Sequence, residues 1–223
     1  METLVTLKVS IVLYPFMEVK ERILGKAHEL FSKYGIRSVS MDDIAAQLGM
    51  SKKTLYQYYD DKDELVTYVF DQVLDVNKNQ CLNCKKVGEN AIHEVFLSFE
   101  MVEDMLANMN PSVLYDLQKY HPGAYKKFYD YKNQFLYKLL RQNLEVGVKE
   151  ELYRDDIDIE VITRFRLYSI MLSFDSEVFP MNKSKLVYVE EQLLDHFLYG
   201  IVTAKGQKMI QKYKSQRTKT KDR

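Results

Sequence analysis

Apolar positions recur at helical spacing along almost the whole chain. Val19, Ile23, Ala27, Leu30, Phe31 and Tyr34 share one face of a first helix, and Gly35 ends it as a left-handed cap would. Ser40 is a good N-cap with Asp43 three residues on, and Met41, Ile44, Ala45 and Leu48 form the buried stripe of a short second helix that Gly49 stops. Ser51 starts a third. Asp61 with Glu64 starts a fourth, which runs through Leu65, Val66, Val69, Val73 and Val76. Beyond residue 80 the helices lengthen. Ala91, Val95, Phe99, Val102, Leu106 and Met109 give one face, Pro111 opens a segment to Tyr120, and Pro122 opens one reaching Val148 with Phe128, Tyr131, Phe135 and Leu139 along one side. Val161, Ile162, Phe165, Tyr168, Ser169 and Leu172 precede Pro180, and Leu186, Val189, Leu193, Phe197 and Ile201 close the series. Only residues 4–13 lean towards strand. The expected fold is all-α, a three-helix unit at 17–62 joined rigidly by the fourth helix to a larger helical body at 63–204.

The spacing at 40–59 is that of a helix-turn-helix, in which two helices cross steeply and the second is exposed. At roughly 100° per residue, Leu55 and Tyr59 lie within about 40° of one another and face inward. Lys53 and Gln57 fall opposite them, flanked by Thr54 and Tyr56. That outer face is polar or phenolic, with donors suited to phosphates and base edges. Lys52 sits at the helix edge, and Lys62 stands where the free N–H groups of the fourth helix favour a phosphate.

These residues carry a resemblance. The run Ser40-Met-Asp-Asp-Ile-Ala-Ala-Gln-Leu-Gly49, then Met50-Ser-Lys-Lys-Thr-Leu-Tyr-Gln-Tyr-Tyr59, then Asp60-Asp-Lys-Asp-Glu-Leu65 resembles the DNA-binding domain of the TetR (tetracycline-repressor) family. The resemblance covers residues 17–70 and is weak beyond them. It implies that the third helix enters the major groove, that Ser51, Lys52, Lys53, Thr54, Tyr56, Gln57 and Tyr58 contact DNA, and that Ser40 and Lys62 hold phosphates. Leu55 and Tyr59 match core positions of the family. Lys53 departs from the small residue, often Gly, common at its place. The resemblance further implies a homodimer on a palindromic operator, released by a small-molecule effector that tilts the helix from Lys62, and more readily a repressor than an activator. Helices near 157–179 and 185–204 would pair with their copies, through Leu193, Leu194, Phe197, Gly200 and Ile201. Of the 17 Tyr, 11 fall between Tyr68 and Tyr199, and Phe99, Tyr115, Tyr131, Phe135, Phe165 and Tyr168 are candidates to line an effector pocket.

Composition narrows the classes. The chain has 223 residues, 46% hydrophobic and 29% charged, enough to bury a core. No run approaches the roughly 18 apolar residues of a membrane span, and a cytoplasmic location is expected. Residues 1–15 make a poor secretory signal, since Lys8 interrupts the apolar stretch and no cleavage site follows. Residues 1–16 are read as an extension or a mis-assigned start. Two Cys exclude a disulfide scaffold, and a lone Cys81-x-x-Cys84 on a helix reads as two partly buried thiols rather than a metal site. His28, His93, His121 and His196 show no ligand spacing. No phosphate loop, nucleophile elbow or acid/base pair appears, so neither an enzyme, a metal nor a cofactor is expected.

Lys+Arg and Asp+Glu both number 32, so the chain is no general nucleic-acid coat. Residues 205–223 concentrate eight Lys/Arg against Asp222 and are expected to form a frayed basic tail, one also able to attract polyanions. Residues 16–65 hold eight basic and nine acidic residues, so DNA binding must rest on placement. Asp42, Asp43, Asp61, Asp63 and Glu64 sit at helix starts, leaving Lys52, Lys53 and Lys62 for the other side. Three such lysines per subunit of a dimer give a slope of log affinity against log salt of about −5. A helical ligand-binding or interaction protein with a vestigial helix-turn-helix is the alternative, and the lysine set discriminates the two.

Overall fold

The computed structural model describes residues 18–175, 177–180 and 183–221. Residues 1–16 and the strand-leaning stretch within them lie outside these. The elements are α1 (Val19–Tyr34), α2 (Met41–Leu48), α3 (Lys52–Tyr56), α4 (Lys62–Val87), α5 (Ala91–Asn108), α6 (Ser112–Tyr120) and α7 (Pro122–Asp130), then a π-helical segment (Tyr131–Leu136), α8 (Tyr137–Lys149), α9 (Ile159–Leu172), α10 (Lys183–Ile201) and α11 (Ala204–Lys221). The fold is all-α. Among the described residues the one extended pairing is a single antiparallel bridge between Tyr153 and Val202.

Local chemistry explains the boundaries at the amino-terminal end. Ser40 and Asp43 close a reciprocal capping box on α2, and Gly49 ends that helix in the left-handed region at φ 66°. Ser51 caps α3 through the Thr54 N–H, and Asp61 caps α4 through the Glu64 N–H.

Two cores organise the chain. The first joins Ile23, Phe31, Ile44, Leu55, Tyr59 and Leu65 of α1–α4 and extends to Val113 and Leu117 of α6 and Ala124 of α7. The second joins Ile92, Phe96, Leu144, Tyr153, Leu198, Ile210 and Tyr213. Helices α6 and α7 therefore pack with the helix-turn-helix unit although they follow α5 in sequence.

Of the expected frayed tail at 205–223, the described residues 205–221 are helical. Helix α11 docks on α5 by burying Ile210 and Tyr213. The Tyr213 hydroxyl donates to Glu89 at 3.1 Å and accepts from the Asn90 amide at 2.7 Å. Arg217 lies among Glu100, Glu103 and Glu191, 2.9 Å from the Glu103 carboxylate, and Lys214 pairs with Asp195. The basic charge thus meets acidic residues of the body. Counting charge alone overlooked the stripe of Ile210, Tyr213 and Arg217, three to four residues apart.

Candidate nucleic-acid interface and interior cavity

Helix α3 is short, and what orients it lies behind it. Leu55 and Tyr59 are fully buried, while Lys53, Tyr56, Gln57 and Tyr58 are exposed and Thr54 is half-buried. The Ser51 hydroxyl accepts from the Thr54 N–H at 3.0 Å and lies 2.8 Å from the Thr54 hydroxyl, fixing the first turn. Helix α3 and the turn that follows it therefore present an ammonium, a carboxamide and two phenols on a buried base of Leu55 and Tyr59.

The lysines differ in what holds them. Lys53 has no carboxylate partner among the described residues. Lys52 is exposed and pairs with Asp42 at 2.8 Å, and that carboxylate raises the Lys52 pKa. Lys62 is half-buried, and its Nζ donates to the Ile36 carbonyl at 2.7 Å above the Phe31 ring. Burial lowers the Lys62 pKa, against the pull of Asp116 and Asp43. The Ile36 carbonyl thus takes one of the three ammonium donors of the side chain to which the resemblance assigns a phosphate. Ser40 is exposed, but its hydroxyl serves the capping box, accepting from the Asp43 N–H at 3.1 Å and donating to the Asp43 carboxylate at 2.6 Å. Those bonds from Ser40 hold the Asp43 carboxyl below the ordinary aspartate range, with Lys62 adding to them.

A cavity of about 220 Å³ lies between the two cores. Its wall is almost wholly apolar, with Phe70 and Leu74 from α4, Phe99 and Met105 from α5, Leu139 from α8 and Ile170 from α9. Among the six aromatic candidates, Phe99 and Tyr131 line it. Tyr115, Phe165 and Tyr168 point to solvent instead. Phe135 stacks on Tyr131 at 5.4 Å without lining the cavity. The π-helical segment is the reason for the last misplacement: its wider turn shifts the register, so Leu136 rather than Phe135 joins Leu139 and Leu140 at the wall. The sequence reading missed Arg166 and Glu190, which pair at 2.6 Å on the wall, both nearly inaccessible. Their signal was a polar stripe of Thr163, Arg166 and Ser169 that α9 buries.

Helix α9 divides its apolar positions between two faces: Leu167 is buried beside Thr163, Arg166 and Ser169, while Val161, Phe165, Tyr168 and Leu172 are exposed, Val161 to 59%. Leu194, Phe197 and Ile201 of α10, expected at a subunit interface, are buried in the second core of their own chain, and Leu193 is half-buried. Gly200 is exposed, as are Tyr188 and Tyr199 of the same helix. Apolarity along α10 marks a buried face without distinguishing the core of the same chain from a partner's surface.

Cys81 and Cys84 are buried free thiols, Cys81 on the cavity wall, and burial pushes its thiol up to about 11. Among the described residues no group of three or more metal-ligating side chains occurs, and no helix is long and apolar enough to cross a membrane.

Residues 23–69 match the family model of the bacterial regulatory proteins, tetR family. An uncharacterised HTH-type transcriptional regulator of Bacillus subtilis (strain 168), YvaF, is 34% identical over 113 residues, 47% of this chain and 55% of that protein. The chain spans about half or less of the length of the curated relatives it matches. The fold is similar to that of a Saccharomonospora viridis transcriptional regulator in complex with choline, with a TM-score of 0.64, 16% identity, and 82% of this chain and 97% of that one covered. It is also similar to Thermus thermophilus FadR, a TetR-family transcriptional repressor in complex with lauroyl-CoA, with a TM-score of 0.53, 20% identity, and coverage of 82% and 95%.

Proposed function

From a chain whose residues 23–69 form the DNA-binding domain of the tetR family of bacterial regulatory proteins, we propose a dimeric repressor that binds a palindromic operator and releases it when a small molecule fills the interior cavity. The observation that carries the reading is the α3 rod, with Lys53 and Gln57 exposed and Leu55 and Tyr59 locked behind. Lys53 serves phosphate or base edges, Gln57 and Thr54 read bases, and Tyr56 and Tyr58 flank them.

The outer face of α9 supports dimerisation. A stripe of four exposed apolar side chains on one helix, with Tyr188 and Tyr199 on α10, is surface that a lone chain leaves in water. A second copy covers it, and two-fold symmetry sets two recognition helices about 34 Å apart on one face of the duplex. The cavity supports the effector role because both cores contribute to its wall, so filling it bears on their relative position. A ligand shifts DNA affinity only as far as it prefers one arrangement of the cores over the other. The complexes of the related folds with choline and with lauroyl-CoA favour such a site here.

The test is selection of genomic fragments by the purified chain, followed by binding of the recovered duplex. Lys53→Ala should weaken binding to all sequences, and Gln57→Ala or Thr54→Ala should change base preference at fixed positions. Recovery of no enriched fragment, or indifference of binding to all three changes, overturns the reading and leaves the helix-turn-helix vestigial.

A further inference from the structure

The cavity wall is apolar apart from a few groups, and its charges do not balance. Two buried carboxylates line it, Glu94 from α5 and Glu190 from α10, against one guanidinium, Arg166 from α9. Glu190 is 2% exposed. One of its oxygens accepts from Arg166, whose guanidinium also lies against the Phe197 ring and within 3.4 Å of the Ser169 hydroxyl. The other oxygen, Oε2, has no donor among the described residues. The neighbouring Ser173 hydroxyl gives its proton to the Ile170 carbonyl at 2.8 Å, and its closeness to the Glu190 carboxylate pulls that pKa down. A buried carboxylate oxygen without a donor is rare in folded proteins and calls for a reason. Burial raises the pKa of both Glu190 and Glu94, against Arg166 at Glu190 and against Asn143 and Lys85 at Glu94. With both carboxylates ionised the wall carries one more negative than positive charge, and Glu190 Oε2 lacks a donor, in surroundings that otherwise favour hydrocarbon.

We propose that the cavity binds a compact organic ammonium ion bearing at least one N–H, which donates to Glu190 Oε2 while its apolar body fills the space between Phe99, Leu139 and Ile170. The assignment rests on the effector reading above and names the ligand class. A neutral alcohol supplies a donor without the charge, a quaternary ammonium supplies charge without a donor, and a carboxylate meets two like charges. Only a protonated amine meets both deficits. A purely structural ion pair between α9 and α10 would not need a second bare oxygen, and apolar side chains of similar volume would join the helices at least as well.

The experiment is calorimetry on the full chain with phenethylamine, phenethyl alcohol, phenethyltrimethylammonium and phenylacetate, each also added to the complex with the selected duplex. Phenethylamine is expected to bind about tenfold tighter than the alcohol, as a charge-assisted hydrogen bond in a dry site allows. Phenylacetate should not bind, and Glu190→Gln should bring amine and alcohol within about threefold of each other. If Glu190→Gln fails to fold by circular dichroism, Glu94→Gln and the amine-to-alcohol ratio of the unaltered chain decide, a reduced amine preference in Glu94→Gln supporting the proposal. Equal binding of amine and alcohol, or an amine preference that survives both substitutions, overturns the ammonium assignment. In that event a DNA response to the alcohol leaves the effector cavity standing. Failure of all four probes to bind overturns both.

Discussion

Replacing Lys62 by methionine separates two roles that the motif alone cannot distinguish. By resemblance Lys62 holds a DNA phosphate, whereas the structure has its ammonium on the Ile36 carbonyl at 2.7 Å, close to the carboxylates of Asp116 and Asp43. That bond braces the corner between α1 and α2 with one of three ammonium donors, and the half-buried stem limits how far the other two reach towards a phosphate. A hydrogen bond from a charged group contributes about 1.5–3 kcal/mol when well shielded, and a half-buried one about 1–2 kcal/mol. Methionine keeps the stem over Phe31 and removes only the donor, so melting should fall by about 2–4 °C for each kcal/mol lost in a chain of this size. The salt dependence of DNA affinity reads the other role. Each lysine on a phosphate adds about 0.9 to the slope, so three per subunit give about −5 for a dimer, and two give about −3.6. The structure predicts the shallower value. Lys62→Met should lower the melting temperature and leave the slope unchanged, and Lys53→Ala should flatten the slope by about 1.8 at unchanged stability. A Lys62→Met variant that melts normally but loses as much slope as Lys53→Ala refutes the argument.

Ser40→Ala removes the N-cap of α2 and should cost about 1 kcal/mol in denaturant unfolding. Because the native Asp43 pKa is depressed, its contribution is present above the ordinary aspartate range and lost as pH falls through the native value, so acid unfolding of Ser40→Ala should begin at higher pH than that of the parent. Asp42→Asn frees Lys52 from its 2.8 Å ion pair and should tighten DNA binding at low salt more than at high salt. Phe165→Asp places a charge in the exposed stripe of α9 and should yield a monomer by sedimentation, with weaker operator binding and little change in helicity. Ile210→Ala should destabilise the body by about 2–5 kcal/mol, because α11 is seated through that side chain, whereas a frayed end would show no loss.

What could be read from the chain follows the range of the forces involved. Caps and short amphipathic stripes are local, so Ser40, Gly49, Ser51 and Asp61 mark helix ends correctly. The inward placement of Leu55 and Tyr59 was equally legible, since only one face of so short a helix can reach the core behind it. For α9 the periodicity gives a helix but not which face turns inward: Phe165 and Tyr168, candidates for the pocket, are exposed, while Arg166, Leu167 and Ser169 are buried. The π-helical segment broke the only register on which Phe135 could have been placed. For α11, two apolar side chains among many lysines carry too little periodicity to announce a seat that exists only once α5 and α10 have met.

The packing of α6 and α7 with the first core suggests where a cavity ligand would act. Helix α4 is the covalent link, but it is not alone in joining the two ends. The Asn110 N–H donates to the Ser32 carbonyl at 2.6 Å, and the Arg37 N–H donates to the Asp116 carboxylate at 3.0 Å, so both ends of the α1–α2 approach are tied to α6. His121 meets Asp63 at 2.7 Å in the first turn of α4, and Lys127 of α7 meets Asp71 one helical stretch further along. Two of these contacts use main-chain donors, which cannot follow a side-chain rotation and must move with their helices. The cavity reaches this assembly through Val113 and Leu114 of α6 and Phe128 of α7, while its far wall is α8, α9 and α10. A molecule that enlarged the gap would therefore push α6 and α7 together with the helix-turn-helix unit, rather than bend α4 beneath a stationary one. On the proposed reading the helix-turn-helix would turn as a rigid piece, its own capping and core intact, and a ligand would alter the separation of the two α3 helices across the proposed dimer.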